Sequence, residues 1–324
     1  MDILSNLYDI KTLTDVFILK FGLFLSLLLL LPYLSVLIGS QLFSLLHLKK
    51  SQIFNNSTYF DLAKYLTELV TKKMWVRIIF GIIPFFGTAF FYSQLYSETA
   101  ENLLFAFILF VAGICIMVAY KNGFSVKDFD KKGNNRLLIK GAWFGIIILL
   151  ISSLILISYF EYTFAPATSK SVNLFELFFS TNTILMYLLF LAISFSLTSA
   201  ILVARMNRTN VSYNFKAYLR EFSTKTGILF TFIQPLFFVL NIFTIDKSAL
   251  SFSFFAFSML ILLLMLIVSV QFYLNFKNEK LKSTSIVFVF LLLFSFLIYN
   301  SQITSERIEK KNSIEKGQLL ELFS

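Results

Sequence analysis

From Phe21 to Leu48 the chain reads FGLFLSLLLLLPYLSVLIGSQLFSLLHL, with no formal charge between Lys20 and Lys49. A soluble domain rarely buries so long an apolar run, and a bilayer core needs only about 20 helical residues. The stretch predicts a transmembrane helix that is tilted or extends past the lipid. Pro32 and Gly39 lie inside it. A membrane helix tolerates both where a neighbouring helix covers the loosened backbone. A basic segment follows, carrying Lys49, Lys50, Lys64, Lys72, Lys73 and Arg77.

That pairing of apolar span and basic connection recurs. The hydropathy pattern predicts an all-α, polytopic membrane protein with about eight spans, at roughly 17–48, 75–95, 102–120, 138–160, 174–204, 224–245, 250–276 and 284–300. The third–fourth connection carries Lys121, Lys127, Lys131, Lys132, Arg136 and Lys140. The fifth–sixth carries Arg205, Arg208, Lys216, Arg220 and Lys225, and the seventh–eighth Lys277, Lys280 and Lys282. The intervening connections hold only Lys170 and Lys247, and the second–third holds Glu98 and Glu101 instead. Cytoplasmic loops collect Lys and Arg. The four basic connections are therefore expected in the cytoplasm and both termini outside. The first apolar run is too long for a signal peptide and is expected to be retained.

Composition agrees with this class. Hydrophobic residues make up 57% and charged residues 14%, against about 25% charged in soluble proteins. The 42 Phe residues fit a chain also rich in Ile, Lys and Asn, as an AT-rich genome would encode. A net charge of +10 would suggest nucleic acid in a soluble protein. Here the cations sit between spans, where membrane orientation accounts for them, and no nucleic-acid partner is expected. Membrane lipid is the expected partner instead.

An internal repeat is legible. Ala63–Phe86 reads AKYLTELVTKKMWVRIIFGIIPFF, and Ala217–Phe238 reads AYLREFSTKTGILFTFIQPLFF. Both hold Tyr-Leu-x-Glu, then Thr-Lys, then an apolar run reaching a proline. It would relate residues of about 1–165 to those of about 166–300 as two parallel four-helix repeats; chance likeness within a biased composition is the competing reading. Residues 301–324 form a polar tail, expected outside as a helix or linker leading away from the membrane, ending as though something followed.

Few residues carry chemistry. His47 is the only histidine; histidine can ligate haem or relay protons, but beside Lys49 and Lys50 an interfacial polar role is the plainer reading. Glu98 and Glu101, three apart on one helix face, could line a proton path at the outer entrance of the third span, or be two solvated acids. Gln234 adjoins Pro235 inside a span, and such amides usually join helices. The lone Cys115 reads as a small buried apolar residue. No phosphate loop, zinc motif or nucleophile motif is present, so no catalytic, cofactor-binding or metal residue is assigned.

The Lys20–Leu46 stretch, the outward N-terminus, the basic cytoplasmic loops and two successive four-helix units together resemble the membrane part of the cytochrome bd quinol oxidase subunit I group. The resemblance is to a divergent branch in which a c-type cytochrome domain follows on the outer face; GQLLELF, Gly317–Phe323, resembles the lead-in to such a domain. It implies a bacterial inner-membrane subunit of a respiratory electron-transfer system. The haem-binding histidines of that group have no counterpart here, since His47 lies on the opposite side of the first span, and the Gly-Arg-Gln-Pro-Trp signature is absent. No haem or quinol residue carries over; the expected subunit has no haem of its own and docks a c-type cytochrome that does. Two other readings stand beside it: a transporter with a path between the halves near Pro84 and Pro235, and a structural or assembly protein.

Overall fold

The computed structural model describes residues 13–95, 100–124, 134–162, 178–206, 213–245, 247, 250–277 and 284–322. Nearly all of these are helical, with no strand among them. The helices are α1 (Leu13–Phe54), α2 (Ser57–Thr71), α3 (Met74–Leu95), α4 (Ala100–Gly123), α5 (Asn134–Tyr162), α6 (Thr181–Met206), α7 (Tyr213–Thr244), α8 (Phe252–Lys277) and α9 (Thr284–Leu322). All but α2 are long and apolar enough to cross a membrane. Large side chains such as Phe232, Phe243, Phe252 and Met259 lie on the exterior, which only hydrocarbon tolerates in such number. The chain is a multi-pass integral membrane protein.

α1 has 42 residues, about 63 Å of helix, roughly twice the thickness of a bilayer core. Its first half shows Phe17, Phe21, Leu25 and Leu29 to the exterior. From Leu30 to Leu48 only Leu46 is exposed, so other helices enclose this length on every side. The helix closes at Asn55, whose φ of 48° is left-handed, a C-terminal conformation that Asn tolerates. Asn56 then caps α2, its side-chain oxygen accepting from the Thr58 N–H at 2.8 Å. Two adjacent asparagines thus turn the chain back on itself.

The segment after Lys50, expected as a basic connection, is in part a helix. In α2, Leu62, Ala63, Leu66, Leu69 and Val70 are buried, while Asp61, Lys64 and Lys72 are exposed. The helix lays its apolar stripe along α1. α3 then carries a π-helical turn, Ile78–Ile82, directly before Pro84. Proline has no N–H to give the preceding turn, and a widened turn absorbs that loss.

The two halves pack alike. α1, α3, α4 and α5 close one ring of neighbours, and α6, α7, α8 and α9 close another. Between them α1 meets α6, and two reciprocal contacts flank that pair: α1 with α9, and α6 with α5. This is the pattern of two parallel units about an axis running along the bundle. At the α1–α6 crossing, a Cβ on Gly39 would lie 2.5 Å from the Ser194 carbonyl oxygen and collide with Thr198 Oγ1. α6 answers with small residues whose hydroxyls return to their own helix: Ser194 to the Phe190 carbonyl and Thr198 to the Ser194 carbonyl, both at 2.8 Å. Close approach of small residues is the usual basis of helix pairing in lipid.

The repeated sequence occupies matching places. In α2, Glu68 pairs with Lys72 at 3.0 Å, and in α7, Glu221 pairs with Lys225 at 2.6 Å. Each acid lies three residues after the motif tyrosine. Thr71 and Thr224 both donate to the carbonyl four residues back. The halves also differ: the two pieces α2 and α3 stand where the second half has the unbroken α7. That helix begins at Tyr213, well before the start expected near residue 224. No break marks residue 300 either, because the expected tail continues α9 as helix through Leu322.

Candidate functional site

At the lysine-rich end, the described residues bring a buried histidine and two half-buried tyrosines into one knot. α1 supplies His47, α2 supplies Tyr59, and α7 supplies Tyr218. His47 is only 2% exposed. Its Nδ1 lies 2.8 Å from the Phe43 carbonyl oxygen, one turn back on α1. A carbonyl only accepts, so Nδ1 carries the proton. Nε2 then accepts from the Tyr218 hydroxyl at 3.0 Å. The Phe222 ring stands edge-on to the imidazole at 4.5 Å between centroids, and Tyr59 packs against Tyr218 at 5.4 Å.

Below the knot is a separate apolar cluster of Phe43, Leu62, Leu66, Leu69, Leu202, Phe215 and Leu219. Leu62 and Leu66 precede and follow Tyr65 as Phe215 and Leu219 do Tyr218. The repeat therefore presents equivalent faces of α2 and α7 to one shared core. Across it Tyr65 meets the Phe215 ring at 6.2 Å. Ser44, one turn before the histidine, donates to the Ala63 carbonyl at 2.8 Å and lies 3.2 Å from the Tyr120 hydroxyl, tying α1 to α2 and α4.

An interfacial role for His47 is thus replaced by a buried one. Lys49 and Lys50 are exposed, but α7 covers the histidine between them and the apolar stretch. Both ring nitrogens are engaged, so the imidazole offers no free lone pair for a metal while the knot is closed. Among the described residues no group of three or more His, Cys, Asp or Glu side chains gathers.

The other candidates lie elsewhere. Gln234 is fully buried in α7, and its amide nitrogen donates to Ser196 Oγ and, at 3.3 Å, to the Ala192 carbonyl. It staples α7 to α6, as Asn241 does by donating to Asn182 near the other end of the same pair. Glu101 is exposed in the first turn of α4. Tyr120, on the same helix, lies beside Ser44, which places Glu101 about 28 Å from the level of the knot. Glu98 lies outside the described residues. Cys115, expected buried, is exposed. In the sequence Tyr218 stands out only as part of the repeat and Tyr59 not at all; the Tyr-Leu-x-Glu motif is the one local signal that falls near the site.

Two cavities lie toward the far end, one between the halves and one within the second half. One, of about 40 Å³, sits where α1, α5, α6 and α9 meet, and its lining is entirely apolar. The second, of about 20 Å³, is bounded by α6, α7, α8 and α9 and includes Asn241, Asn300, Ser301 and Thr304. No family model matches the chain, and no curated protein matches it.

Proposed function

We propose that this chain is a membrane subunit of a bacterial respiratory electron-transfer assembly, holding no haem of its own and mounting a c-type cytochrome. In this reading the lysine-rich end faces the cytoplasm and α9 projects from the outer face. The observation that carries it is the continuity of α9. The apolar part of that helix ends near Ser305, yet the helix runs on to Leu322, about 25 Å farther. An unbroken helix transmits position from the membrane bundle to whatever it bears, which suits a redox partner that must be held at a fixed distance.

A solute path between the halves has less support. The seam cavity nearest the axis has no polar lining side chain, and neither Pro84 nor Pro235 lines either cavity. A membrane interior also offers a permeant solute little without polar groups.

Purification of the full chain from native membranes under mild detergent tests the proposal. A haem-staining protein with a c-type reduced-minus-oxidised spectrum should accompany it. Ser313→Pro, which breaks α9 beyond the apolar segment, should release that protein while leaving the eight spans intact. A copurified complex without haem protein, or a b-type Soret band belonging to this chain, would overturn the reading in favour of a structural role or a haem-bearing subunit respectively.

A further inference from the structure

The chain passes from α2 to α3 at Lys72 and Lys73, both exposed. Glu68, the nearest acid along the chain, already pairs with Lys72 at 3.0 Å. Lys73 instead holds its Nζ 5.7 Å from the centre of the Trp75 ring. Arg77 follows, half-buried. It stands one turn before Gly81, where an added Cβ would lie 2.7 Å from the Tyr33 ring, and it is within electrostatic reach of Tyr33. Yet Arg77 Nε and the Tyr33 hydroxyl are both buried without a hydrogen-bond partner, so neither satisfies the other. Among the described residues no carboxylate pairs with Arg77. Farther along α3, Ile79, Ile83 and Phe86 are exposed. Membrane orientation needs cations at the surface of the bundle. Lys72 and Lys73 supply those, and orientation gives no reason to sink a guanidinium four residues deeper. The repeat offers a comparison. α7 carries Lys225 where α2 ends in Thr71 and Lys72, and then has no cation before Lys247. The cationic corner belongs to the first half alone.

We infer that the α2–α3 corner binds the head group of an anionic phospholipid on the outer surface of the bundle. The phosphate lies between Arg77 and Lys73. An acyl chain runs down the exposed stripe of Ile79, Ile83 and Phe86, and Trp75 sits at the level of the glycerol, where indole rings collect. Three properties select this occupant. A guanidinium fork matches two phosphate oxygens. A partly buried cation with no acid beside it is costly, and an anion from outside the chain compensates it. The apolar stripe continuing from the cations fits a molecule that joins a charged head to a hydrocarbon chain, which a free phosphate does not. A zwitterionic head would bring its own ammonium to a corner already rich in positive charge, and so binds less well. This assignment is independent of what α9 carries.

Fluorescence quenching of the full chain in phosphatidylcholine nanodiscs tests it. The chain has two tryptophans, and Trp143→Phe leaves Trp75 as the only reporter. The probes are phosphatidylglycerol and phosphatidylcholine, each with the same dibrominated acyl chain and each added as a minor component. The phosphatidylglycerol should bind beside Trp75 about tenfold more tightly, as a charge-assisted contact warrants. Arg77→Gln should erase that preference, and Arg77→Lys, which keeps the charge and loses the fork, should retain part of it. Lys64→Gln removes the same charge from an exposed place on α2 and should leave the preference unchanged. Equal quenching by the two lipids would overturn the site. Equal losses from Arg77→Gln and Lys64→Gln would also overturn it, because they would show diffuse surface attraction only. Should Arg77→Gln fail to yield folded protein, salt decides with Arg77 in place. Diffuse attraction is screened within about 4 Å at half-molar salt, so a preference that persists there supports the site and one that vanishes overturns it.

Discussion

At the lysine-rich end, the halves meet through a histidine with both nitrogens engaged, three aromatic rings and a dry cluster of leucines and phenylalanines. At the far end, one cavity opens between the halves and a smaller one lies within the second half. One pair of central helices therefore forms a fixed joint at one end and a loose one at the other. The difference follows from the side chains supplied. Rings from α2 and α7 reach over α1 at the first end, whereas at the second Phe190 and Phe294, with Leu and Ile side chains and Met186, leave a gap between the helices unfilled.

Removing the joint should have the largest effect. His47→Ala deletes two hydrogen bonds and a packed ring from a buried site, and should cost about 3 kcal/mol, read as a lowered midpoint of thermal unfolding in detergent. Enlargement should separate the two ends next. Leu66→Phe at the tight end should cost about 2 kcal/mol through overpacking, whereas Met186→Phe beside the cavities should cost less than about 1. Similar losses from both would erase the contrast. Tyr218→Phe keeps the ring and removes only the hydroxyl that Nε2 accepts from, so about 1 kcal/mol should be lost. Smallest of all, Glu68→Gln and Glu221→Gln break partly exposed i, i+4 ion pairs, and each should change stability by less than about 0.5 kcal/mol. A large effect from only one of these two would show that the repeat's surface pairs are not equivalent.

Eight spans were legible because hydrocarbon demands long apolar runs, and their spacing survives whatever the helices pack against. α2 was not, because Lys64, Lys72 and Lys73 dominate that stretch while its stripe of Leu62, Leu66, Leu69 and Val70 spans only about two and a half turns. The knot was harder still. His47 stands next to two lysines, and what buries it arrives with Tyr218, 171 positions later. Local pattern records a neighbour on the same helix and says nothing of one on a distant helix. The motif around Tyr218 was visible as a repeat, but the side chain it would meet was not. The cavities leave no trace in sequence, since leucines that line a void and leucines that fill one read alike.

The enclosure of α1 bears on how the protein is made. Its Leu30–Leu48 length leaves the ribosome well before it can be covered, because α6, α7 and α9 all follow more than 120 residues behind it. Until then Ser40, Gln41, Ser44 and His47 have no second-half surface to bury them. A chain halted after α5 would hold an unfinished rod in the lipid, its buried polar face still waiting for the helices that cover it.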